Sequence, residues 1–112
     1  MIIFFKTRKL NKICCSMTLM ERKFGVSVAQ KLARRLHELS AAEILSDLNK
    51  IPHLHCHELK GARKGQFAIN IDQRYRIVFD PANKPVPRKP DGGIDWTEVN
   101  SIRIIAVEDY HD

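Results

Sequence analysis

At 112 residues the chain suits one compact domain, and an apolar share of 44% is that of a globular protein rather than a disordered one. No apolar run is long enough to span a bilayer, and three cysteines, Cys14 and Cys15 adjacent and Cys56 alone, exclude a disulfide framework. A net charge of +6 directs attention to nucleic acid or to an acidic protein partner.

Residues 1–5 open the chain with an apolar run, but it is short and has no basic region ahead of it. It reads as no signal peptide, and a cytoplasmic protein is expected. Ile2 to Phe5 predicts a first strand. Leu10, Ile13, Cys14, Met17, Met20 and Phe24 then recur at helical spacing along one face, which predicts a single helix closed by Gly25. Ser27 and Gln30 have the spacing of a capping box. Behind them Val28, Leu32, Leu36 and Leu39 form an inward stripe, with Lys31, Arg34 and Arg35 on the outward side. The two helices form an αα-hairpin. Ser40 and Glu43 repeat the capping-box spacing and predict a short third helix over residues 41–48, ended before Pro52.

Strand character follows. Residues 55–59 are the first candidate, and residues 60–65 make a basic turn with two glycines. Phe67, Ile69 and Ile71 alternate with polar or small residues, as in a half-buried strand. After a turn at 72–74, Tyr75, Ile77 and Phe79 alternate with Arg76 and Val78. Residues 81–101 carry four prolines and an Asp91-Gly92-Gly93 turn, so they form an inserted loop rather than a central strand. The last strand spans 102–107. The sum is an α+β fold, residues 1–112 as one domain, with the N-terminal strand and the αα-hairpin on one face of an antiparallel sheet. The other face is left for a partner or a site.

Strand alternation puts Arg76 opposite Tyr75, Ile77 and Phe79. With those three toward the helices, Arg76 faces the open side, where His57, Lys60, Asp109, Tyr110 and His111 can join it. Two imidazoles, a carboxylate, a phenol and two cations suit phosphodiester chemistry: one group removes a proton, another protonates the leaving oxygen, and the cations meet developing charge. His53, His55 and His57 alternate and could hold zinc on a strand. His53 follows Pro52 directly, in chain that reads as irregular, so no metal is expected. Gly61 and Gly65 lack the flanking residues of a phosphate-binding loop, and no cofactor is expected.

His57-Glu58-Leu59-Lys60-Gly61, then Arg63-Lys64-Gly65-Gln66-Phe67, then Tyr75-Arg76-Ile77-Val78-Phe79, and the closing Asp109-Tyr110-His111 resemble the HigB-type toxins of the RelE/ParE superfamily. The usual pattern there is His-Pro-Leu-Lys-Gly, Trp-Arg-Ile-x-Phe and Asp-Tyr-His. Two departures stand out: Glu58 replaces the common Pro, and the loop at 81–101 replaces a tight turn. The resemblance implies a RelE-like fold and a type II toxin that cleaves mRNA on the ribosome. It also implies a HigA-like antitoxin with a helix-turn-helix domain, and no membrane partner. Carried over motif by motif, His57, Lys60, Arg76, Asp109, Tyr110 and His111 are the catalytic candidates. Lys31, Arg34, Arg35, Arg63 and Lys64 are the candidates for docking on the ribosome and RNA. The implied reaction is attack of a ribose 2′-hydroxyl on the adjacent phosphate, giving a 2′,3′-cyclic phosphate without a metal. Two rivals keep the fold. One is a ParE-like gyrase poison, against which the terminal acid–base set speaks. The other is a degenerate toxin that only binds its antitoxin.

Overall fold

The computed structural model describes residues 1–110. Five strands, β1 (Ile2–Phe5), β2 (His57–Glu58), β3 (Phe67–Asn70), β4 (Tyr75–Pro81) and β5 (Ser101–Asp109), form one sheet in the order β1-β5-β4-β3-β2. The strands β2 to β5 pair antiparallel, and β1 joins β5 in parallel. Helices α1 (Arg8–Cys14), α2 (Met17–Phe24) and α3 (Val26–Ala41) bury their apolar sides on the sheet, which is the expected α+β class. Met20, Ala29, Leu32 and Leu39 pack there with Phe67, Ile69, Ile77, Phe79, Ile102 and Ile104.

The helices differ from expectation in three places. The single helix expected up to Phe24 is two. Ser16 is extended, and its hydroxyl accepts from the Leu19 N–H at 3.2 Å, as an N-cap does. Thr7 caps α1 in the same way, accepting from Leu10. Apolar spacing survived the break because it reports burial, not continuity. Met17 alone fell out of phase and is exposed. The capping box expected at Ser27 does not form. Gly25, at φ +87°, closes α2 and opens α3, so Ser27 already lies inside the helix. A left-handed turn at one residue suits glycine, which has no Cβ to clash.

The helix expected at 41–48 is also absent. α3 runs through Ala41, and a 3₁₀ helix spans Leu45–Lys50. Its start is held by Asp47, whose carboxylate accepts the N–H groups of Glu43 and Ile44 at 3.1 and 3.2 Å, in place of the expected box between Ser40 and Glu43. The Ile44 bond lowers the Asp47 pKa most. Desolvation opposes it, and Glu43 and Lys50 add to the lowering. A carboxyl held below its unfolded value of about 4 stabilises the fold above that pH and loses its contribution as pH falls through the folded value. Asp47→Asn should therefore lower Tm at pH 7, and its deficit against the parent should shrink as pH drops from about 4 toward 2. Melting curves of both proteins across that range check this, and a deficit constant with pH would refute it.

Residues 82–100 leave β4 and return to β5 by way of the core. Ile94 and Val99 are buried, and the Trp96 ring meets Phe67 edge-on at 4.9 Å between centroids. Backbone carbonyls of Trp96 and Val99 accept from Ser46 and Leu45. An isolated bridge joins Arg88 to Ile94.

One irregularity positions everything on the open face. Val78 pairs with Ala106 and Phe79 with Ile104, which leaves Ile105 as an extra residue on β5, a β-bulge. Alternation on β5 reverses there. Ile102 and Ile104 face the core before the bulge. After it, Glu108 pairs with Arg76 and Asp109 with Tyr75, and directly paired residues share a face.

Candidate functional site

The open face carries a row across three strands: Asn70 on β3, Arg76 on β4 and Glu108 on β5 are cross-strand partners. Tyr110 follows β5 and closes the row. Its N–H donates to Arg74 O at 3.0 Å, its hydroxyl donates to Asn70 Oδ1 at 3.2 Å, and its ring lies 5.0 Å from the Arg76 guanidinium. A guanidinium over an aromatic face is attracted by the ring quadrupole.

Arg76 is further fixed by Glu108, to which its Nε and Nη2 both come within 2.8 Å of Oε1. Arg63 reaches the same carboxylate from the β2–β3 connection, with Nη1 2.9 Å from Oε1 and Nη2 3.3 Å from Oε2. Ala68 and Val78, a cross-strand pair on the open side, are closed to solvent. β3 is buried along most of its length, where alternation suggested a half-buried strand. Burial pushes the Glu108 pKa up, but the bonds and charges of Arg63 and Arg76 outweigh it and hold the group below the usual carboxylate range.

His57 on β2 pairs with Ala68, which puts it on the open face, one row away from Arg76. Ordinary sheet spacing separates their Cα atoms by about 12 Å, a gap that two side chains and one phosphate can fill. Its Nδ1 meets the His55 carbonyl at 2.9 Å. A carbonyl only accepts, so Nδ1 carries the proton, and in the neutral ring Nε2 has the lone pair. Lys60 is exposed at the start of a 3₁₀ turn, Gly61–Arg63. Asp109 sits beside Tyr75 in register, not beside Arg76, and takes the Arg74 Nε at 2.6 Å. His111 lies outside the described residues.

The docking candidates divide. Arg35 donates to the carbonyls of Asn70 and Ile71 and to Glu38, so it ties α3 to the end of β3. Arg63 serves the Glu108 cluster. Lys31 and Arg34 line a 660 Å³ cleft between α3 and the β3–β4 turn, with Gln73 and Tyr110 opposite. Lys64 is exposed. Tyr110 thus touches both the arginine cluster and the cationic cleft.

The histidine row expected to alternate does not form. His53 lies in a 3₁₀ turn and bonds Glu38, and His55 is left-handed at φ 49°. Among the described residues no three His, Cys, Asp or Glu converge as a metal site. Burial, with the neighbouring Cys15 adding, pushes the Cys14 thiol up to about 11, and burial pushes Cys56 up to about 12, so neither is a thiolate at neutral pH. Glu58, the residue in the place of a proline, accepts the Gly65 N–H at 3.1 Å and clasps the β2–β3 connection. At the far end of the open face, exposed Ile2 and Phe4 with Pro81 and Val86 line an 870 Å³ groove. No described helix is long and apolar enough to cross a membrane.

Sequence reasoning missed Glu108, because it followed the closing Asp109-Tyr110-His111 motif and allowed for no bulge in β5. The doubled apolar pair Ile104-Ile105 was the available signal of a bulge.

The chain thus packs three helices on one face of a five-stranded sheet and carries an arginine–tyrosine cluster on the other. It is similar to a YoeB/ParE toxin from Agrobacterium tumefaciens, at TM-score 0.55 and 10% identity over 99% of this chain and 100% of that one. It is also similar to a chain of a YoeB–YefM complex from Staphylococcus aureus, at TM-score 0.56 and 14% identity over 98% of this chain and 95% of that one. A comparison with curated proteins finds no match. Residues 5–88 match the HigB-like toxin family, described as the RelE-like toxin of the type II toxin–antitoxin system HigB. The chain belongs to that family and is a RelE-like toxin of type II toxin–antitoxin modules.

Proposed function

We propose that this toxin, as one cytoplasmic domain over residues 1–112 with its inserted loop at 81–101, is a ribosome-dependent mRNA endoribonuclease. The observation that carries the reading is Arg76, whose guanidinium lies 5.0 Å over the Tyr110 ring, a ring that also lines the cleft of Lys31 and Arg34. A guanidinium fixed in this way is ready for a phosphate before it arrives, and an aromatic face beside it can stack a base. The substrate supplies its own nucleophile, the 2′-hydroxyl. The protein then has to align it, exchange protons and stabilise charge. His57 Nε2 is the proton acceptor in reach of the open face, and Lys60 and Arg76 meet the charge that grows on the phosphate. His111 completes the set as proton donor to the leaving 5′-oxygen, with Asp109 two residues before it in sequence. Lys31, Arg34 and Lys64 hold the RNA backbone and ribosome, while Arg35 and Arg63 support them from within the fold. The partner that silences the toxin is a HigA-like antitoxin, and apolar residues on it suit the groove of Ile2 and Phe4.

The test uses purified protein with ribosomes programmed by a defined mRNA. Cleavage is expected in the decoding site, with a 5′-hydroxyl on the downstream fragment and a 2′,3′-cyclic phosphate on the upstream one. The same RNA off the ribosome should stay intact. Inhibition of gyrase supercoiling without RNA cleavage would replace this reading with the gyrase-poison one.

A further inference from the structure

Two arginines on one carboxylate are the least expected feature of the open face. Arg76 has 18% of its side chain exposed and Glu108 has 27%, so the pair is held in a partly desolvated setting rather than waving in solvent. Glu108 takes the Nε/Nη2 edge of the Arg76 guanidinium, and the guanidinium lies 5.0 Å over the Tyr110 ring. Among the described residues Nη1 makes no hydrogen bond, and it is the corner left for a ligand. Arg63 balances the same carboxylate from the opposite side. Two guanidiniums and one carboxylate carry a net charge of +1, which matches one phosphodiester.

We propose that Glu108 is a positioning residue for RNA cleavage, an internal anion that clamps Arg76 so that its remaining N–H groups face the scissile phosphate. This rests on the endoribonuclease reading above. The clamp acts by orientation. Without it, two like charges a few ångströms apart repel, and Arg76 leaves the plane in which it meets the transition state. The incoming phosphate must then gather both arginines itself. That interaction strengthens the bound ground state, because the local charge has risen to +2, and weakens the transition state, because alignment is no longer prepaid. Affinity and turnover therefore move in opposite directions. Loss of folded protein would lower both, and simple removal of a repelling anion would raise both.

Glu108→Gln keeps the shape and removes the charge. On programmed ribosomes its single-turnover cleavage should fall by about 10²-fold, the scale of a misplaced reacting group. Its affinity for ribosomes whose mRNA carries a 2′-deoxyribose at the cleavage site should tighten. Glu108→Asp restores the charge and should recover part of the lost turnover. The Arg76 Nε–H resonance should be protected from solvent exchange in the parent protein by its bond to Glu108, and should exchange rapidly in Glu108→Gln. Unchanged turnover, or equal losses of turnover and affinity, would overturn the proposal. Parent protein that cleaves no RNA would overturn the endoribonuclease reading instead. The clamp is decided separately by the Arg76 resonance, and persistence of its protection in Glu108→Gln would overturn it.

Discussion

Arg76→Ala should lower single-turnover mRNA cleavage by about 10²–10³-fold, the usual cost of removing one preorganised donor from a developing anion. The effect should fall on the chemical step. A cation that meets charge only as it grows lowers the barrier without tightening substrate binding to the same degree. Affinity for programmed ribosomes should change far less than turnover, since Lys31, Arg34 and Lys64 lie elsewhere on the surface. The fold should survive, because Glu108 keeps both of its bonds to Arg63. Arg76→Lys should remain impaired. One ammonium cannot fill the Glu108 edge, lie flat on Tyr110 and still present a second donor edge to phosphate. Single-turnover rates and ribosome-binding isotherms for the three proteins test this, and full activity of Arg76→Lys would reduce Arg76 to a simple counter-charge.

The largest stability effect belongs to Phe67. Its side chain is fully buried, stacks on Phe79 at 5.8 Å and takes the edge of Trp96 at 4.9 Å. It therefore joins β3, β4 and the inserted segment in one contact. Phe67→Ala should cost about 3–5 kcal/mol, the transfer term plus the cavity left behind. A chain of this size would lose more than about 10 °C in Tm, and on a total stability of about 5–15 kcal/mol much of the reserve would be gone. Denaturant melts read the loss, and Trp96 fluorescence should shift as its neighbour disappears. A loss below about 1 kcal/mol, well short of an aromatic-to-alanine cavity, would show that the inserted segment repacks into the space.

The helices and strands that face the core were readable because burial leaves a periodic trace. Leu32 and Leu39 of the inward stripe, and Phe67, Ile69, Ile77 and Phe79 of the alternating strands, are all buried. What periodicity could not carry were breaks that keep the buried side in phase. Ser16 interrupts a helix whose next turn resumes on the same side, and Asp47 starts a 3₁₀ helix where an α-helical cap was expected. Among the docking candidates, charge type alone did not separate Arg35, whose donors end on backbone carbonyls, from Arg34, although both line the same cleft. Both are arginines on one helix, and only the approach of the β3 end to α3 distinguishes them.

The sequence motifs carried the family resemblance, and by itself the sequence determined the α+β class, the apolar core and the place of Arg76 on the open face. These follow from local rules: apolar spacing, turn chemistry and the alternation of side chains along a strand. The tertiary structure decided which acid stands beside Arg76. One extra residue, Ile105, reverses the alternation of β5 against β4, so Glu108 turns toward Arg76 and Asp109 turns toward Tyr75. A strand has a period of two, and a single unpaired residue therefore exchanges its faces for every position that follows. Whether that residue bulges depends on the partner strand across the sheet, which pairs Val78 with Ala106 and Phe79 with Ile104.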